Sequence, residues 1–129
     1  MKNALLPRIL ALAKRALATH NAMLKSKVQI DWDECNKQET EMYAEMDSID
    51  KAAGSGLVVG RHLSFSVGDG SADYIITKVC KNHVVVEWIP LCDGYSSRVV
   101  GLNANKTQCI MLRSTAEQEC RATLFFSNI

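Results

Sequence analysis

Apolar residues recur at two different periods along the chain, and the change of period falls near residue 54. From Asn3 to about Lys25 the spacing is helical. Leu5, Ile9, Leu12, Ala16 and Met23 form one stripe, and Leu6, Leu10, Ala13, Leu17 and Leu24 lie beside it. A stripe this wide predicts a helix that buries a broad face. Asn3 suits the N-cap, and Pro7 lies near the first turn, where its missing N–H costs little.

A second seam runs through Trp32, Cys35, Glu39, Met42, Met46 and Ile49. Its alternating steps of three and four are heptad-like, with one polar member. Asp31 followed by Glu34 matches a helix start. Between the two patterns, Val28, Ile30 and Trp32 alternate with polar residues, as in a short extended link. Leu24, Val28, Trp32 and Cys35 also keep the helical seam in phase. Two geometries satisfy this pattern, a hairpin of two helices or one long coiled-coil helix. Trp32, Cys35, Met42, Met46 and Ile49 are the candidate oligomerisation seam, which predicts a homo-oligomer formed through the helical arm.

Gly54-Ser55-Gly56 marks a joint, and beyond it the period drops to two. Leu57 to Val67 reads as a strand, followed by a turn at Gly68 to Ser71. Ala72 to Cys80 reads as the next, with Tyr74 and Ile76 on one face and Ile75 and Val79 on the other. Lys81-Asn82 makes a tight hairpin, and His83 to Ile89 returns until Pro90 stops it. Short strands are expected at Arg98 to Leu102, Gln108 to Arg113 and Ala122 to Phe126, with one helical turn starting at Ser114-Thr115-Ala116-Glu117. The fold class predicted is α+β: an N-terminal helical arm over 1–53, a linker at 54–56, and a small five- or six-stranded β-barrel over 57–129.

Charge sharpens the picture of the arm. Residues 1–30 carry six basic side chains and no acid, whereas 31–53 carry eight acids and two bases, giving balances of +6 and −6. Two such helices attract each other when antiparallel. Exposed ion pairs contribute little each, so charge sets orientation while the apolar seam supplies stability. Residues 54–129 hold seven bases and six acids. A nucleic-acid binder usually shows a basic excess on its folded domain, and this one does not.

The five cysteines, Cys35, Cys80, Cys92, Cys109 and Cys120, include no Cys-x-x-Cys pair. A disulfide framework is not expected, which points to the reducing cytoplasm. Met1 to Leu24 superficially resembles a targeting segment, but Arg8, Lys14 and Arg15 interrupt every apolar run, and no membrane association is expected.

Candidate chemistry is sparse. Cys80 and His83, with Cys92 and Cys109, have the donor types for zinc, but they straddle a hairpin turn and form no second paired ligand motif. Asp69, Asp73 and Asp93 lie in glycine-containing turns without the spacing or closing glutamate of a calcium loop. His62, His83, Cys92 and Asp93 include nucleophile, base and acid types, yet their spacing matches no known layout. Gly68-x-Gly70 lacks the further glycine and helix of a phosphate loop. No catalytic residue, metal ligand or cofactor is assigned.

The one-turn helix before the last strand is the layout of a Src-homology-type small barrel, which the stretch 57–126 resembles. Within it, the turn at Gly68, Tyr74-Ile75-Ile76-Thr77-Lys78-Val79, Val86-Glu87-Trp88-Ile89 and Cys92-Asp93-Gly94-Tyr95 resemble uncharacterised small proteins of phages and plasmids. That resemblance implies a mobile-element protein and brings no activity with it. The reading that follows is a non-enzymatic interaction protein, acting as an inhibitor or modulator of a host macromolecular complex. Its partner-binding candidates are Tyr95, Arg98 and Asp93 in the loop after Pro90, and Arg8, Lys14 and Arg15 on the first helix. Two other classes stay open. One is a nucleic-acid-binding module using the basic first helix, Lys78, Lys81 and Arg98. The other is a small-molecule-binding or metal-dependent hydrolytic barrel.

Overall fold

A computed structural model of the chain describes residues 4–25, 32–67, 70–90 and 107–119. Their elements run α1 (Leu5–Lys25), α2 (Trp32–Ala53), β1 (His62–Val67), β2 (Gly70–Val79), β3 (His83–Trp88) and β4 (Gln108–Leu112). A short helix, α3, follows at 113–119. Among the described residues no helix is long and apolar enough to cross a membrane.

The helices form a hairpin. Arg8 pairs with Glu45 and Arg15 with Glu41, so contacts step backward along α2 as they step forward along α1, which makes the pair antiparallel. Leu5, Ile9, Leu12 and Ala16 of the first apolar stripe on α1, with Ala13 of the neighbouring one, are buried in one core with Met42, Met46 and Ile49 of α2. Leu6 and Leu10 of the neighbouring stripe stay largely exposed. Asp33 and Glu34 occupy the first turn of α2, where the helix dipole favours acids. Gly54 ends the helix with φ at +86°, and its N–H donates to Asp50 O at 3.2 Å.

The hairpin is not a projecting arm. Ile75 of β2 and Ile89 join the same core as the helices, with Val59 and Ala53 packed against it. The connection is close: a Cβ at Gly60 would lie 2.8 Å from Ala53 Cβ and 2.9 Å from Leu5 Cδ1, and Gly60 itself has φ at +98°. That bend explains why the strand expected over Leu57 to Val67 begins only at His62. Gly60 N–H nevertheless already donates to Ile76 O at 2.8 Å.

The four strands form one antiparallel sheet in the order β1-β2-β3-β4. In the β2–β3 ladder, Ile76 opposes Val86 and Lys78 opposes Val85, so the register shifts by a bulge around Thr77. The Thr77 hydroxyl donates to Val85 O at 3.2 Å across it. The extra residue turns Val79, not Lys78, onto the face of Tyr74 and Ile76. Val79 was expected on the face of Ile75, and the bulge corrects that assignment. The face it joins carries the second core: Leu63, Ala72, Tyr74, Ile76, Val84, Val86 and Trp88, capped by Ala116 of α3. Arg113 secures α3 by donating its N–H to Asn82 O, Nη1 to Cys80 O and Nε to Glu117.

The expected five- or six-stranded barrel is therefore corrected to an open four-stranded sheet with helices packed against it. Closure requires the first and last strands to pair, but β1 and β4 stand at opposite edges. Helices provide the cover that closure would have provided, since an apolar sheet face needs a second layer of some kind. The strands expected at 98–102 and 122–126 lie outside the described residues.

Candidate functional site

A polar cluster lies where α2 meets the sheet. Asp50, in the last turn of α2, accepts the N–H of His62 at 2.8 Å and faces Arg61 Nη1 at 3.5 Å. The Arg61 side chain is 9% exposed, so its charge depends on that carboxylate. On the next strand, Asp73 Oδ1 lies 2.8 Å from His62 Nε2, with the Asp73 side chain only 4% exposed. Glu119 at the end of α3 adds a third acid near the imidazole. Burial pushes its carboxyl up from the ordinary value, and the field of His62 partly offsets that. A paired His and Asp is half of an acid–base device, but among the described residues no hydroxyl or thiol donates to His62. The cluster thus brings charged and ionisable side chains together at the helix–sheet junction, with Arg61 Nε buried there and making no hydrogen bond.

Two further groups are tuned by burial on the opposite sheet face. Burial raises the Tyr74 phenol, with Cys109 and Asp73 adding to it. Burial also raises the Cys109 thiol, with buried Glu87 adding to it. Glu87 itself accepts the hydroxyl of Thr107. Cys80 and His83 close the β2–β3 turn through a backbone bond, Cys80 N–H to His83 O at 2.9 Å. Among the described residues no three ligating side chains gather as a metal site.

Two of the three candidates on the first helix, Arg8 and Arg15, are engaged within the chain. Arg8 Nη2 reaches Glu45 Oε1 at 2.5 Å and Ser48 Oγ at 3.0 Å. Arg15 Nη2 reaches both Gln38 Oε1 and Glu41 Oε2 at 2.5 Å. Lys14 is exposed. Met42, Met46 and Ile49 of the oligomerisation seam are buried under α1 of the same chain. The side chains of Trp32 and Cys35, and all of Tyr95, Arg98, Asp93 and Cys92, lie outside the described residues.

Among the described residues the most open large apolar side chains are on β4. Cys109 pairs with Val86 and Met111 with Val84, which turns both toward the second core. Ile110 and Leu112 necessarily point the other way, and they are 74% and 66% exposed. The register of this ladder is unbroken from His83–Leu112 to Glu87–Gln108, and no charged residue falls between Gln108 and Leu112. Sequence reasoning missed this surface because Cys109-Ile110-Met111-Leu112 is apolar at every position. Without alternation, nothing local says which side faces out.

Comparison with known proteins gave no match to this chain among family models, curated proteins or solved structures.

Proposed function

We propose that this chain is a non-enzymatic interaction protein whose contact surface includes the outward face of β4. The observation that carries the reading is the pair Ile110 and Leu112, two large aliphatic side chains held side by side on a regular strand and left open to solvent. Single exposed apolar residues are ordinary. Two on one rigid edge of a small sheet, with no charge between them, form the kind of surface that protein partners cover. The His62–Asp73 contact supports this reading over a hydrolytic one, since it joins two neighbouring strands and no hydroxyl or thiol donates to His62 among the described residues. The Arg8 and Arg15 ion pairs support it over a nucleic-acid-binding one. In this reading the partner is a protein in the cytoplasm. The resemblance to small phage and plasmid proteins favours a component of a host complex.

The test compares wild-type chain with the variant Ile110→Asp/Leu112→Asp as bait. The expected result is a partner retained by the wild type and lost by the variant, with the melting temperature unchanged. A partner retained equally by both places the contact surface elsewhere and overturns the assignment to β4. Light scattering on the same two proteins reads whether the lost partner is a second copy.

A further inference from the structure

No further inference is drawn: the strongest candidate, the apolar surface patch of Ile110 and Leu112 on β4, belongs to the site already described, and nothing in the structure shows what covers it.

Discussion

The carboxylate of Asp50 accepts the backbone N–H of His62 at 2.8 Å, tying the last turn of α2 to the first residue of β1. The same carboxylate faces the buried guanidinium of Arg61 at 3.5 Å. Removing one partner of a buried pair leaves an uncompensated charge, at a cost of about 3–5 kcal/mol. Asp50 is itself partly exposed, so Asp50→Ala is expected near the lower end, about 3 kcal/mol. Asp50→Asn keeps an acceptor for His62 but loses the charge opposite Arg61, and should fall between wild type and alanine. Urea denaturation of the three proteins checks the order. An asparagine variant as stable as wild type would show that the Arg61 contact contributes nothing.

Gly60 and Gly54 separate two roles of glycine. Both have positive φ, but only Gly60 is hemmed in, by Ala53 and Leu5, while a Cβ at Gly54 meets nothing within 4 Å. Gly54→Ala should therefore cost only the conformational penalty, about 1 kcal/mol. Gly60→Ala adds a clash that pushes α1 and α2 off the sheet, and should cost at least 1 kcal/mol more. Equal losses in thermal denaturation would mean that the junction yields easily and the packing there is loose.

Glu119 gives a pH dependence with a definite sign. Burial raises its folded-state pKa above the ordinary glutamate value. The native state therefore holds its proton more tightly than the unfolded state, and this group lowers stability as pH rises through that window. Glu119→Gln is expected to raise the melting temperature at pH 7. The gain should shrink as pH falls and vanish below the ordinary glutamate range near about 4.3. A variant less stable than wild type at pH 7 would mean that attraction to His62 outweighs the burial cost.

Much of this arrangement is legible in local patterns. The Met42-Met46-Ile49 seam, the opposite charges of the two helices, the Lys81-Asn82 turn and the helical turn after Arg113 all follow from spacing within a few residues. What sequence does not show are relationships set by register. Asp50 is twelve residues from His62, and Asp73 eleven from His62, so no motif window contains them. The Thr77 bulge reverses the face of Val79 through a single extra residue. Barrel closure fails as an expectation for the same reason: strand count and turns are local properties, but which edges meet is not. On β4 the surface stays hidden because Ile110 and Met111 are chemically alike, and only the ladder to β3 tells them apart.

The arginines of α1 provide a quantitative check on the nucleic-acid alternative. Arg8 and Arg15 are held by Glu45 and Glu41, so a polyanion must compete with carboxylates already in place. Wild-type chain is expected to elute from heparin below about 0.15 M salt, the physiological ionic strength. In Glu41→Gln/Glu45→Gln both guanidinium groups lose their charged partners. Each ion pair is exposed, so the double change should cost no more than about 2 kcal/mol of stability. If the freed arginines engage duplex DNA, two additional phosphate contacts steepen the log–log salt dependence of binding by about 1.8, at roughly 0.9 per neutralised phosphate. The expected outcome is therefore weak binding that appears or strengthens only in the variant. Tight, steeply salt-dependent binding by the wild type, with a slope the variant leaves unchanged, would establish a nucleic-acid interface that bypasses these two arginines. Such a result would make the protein-partner reading secondary.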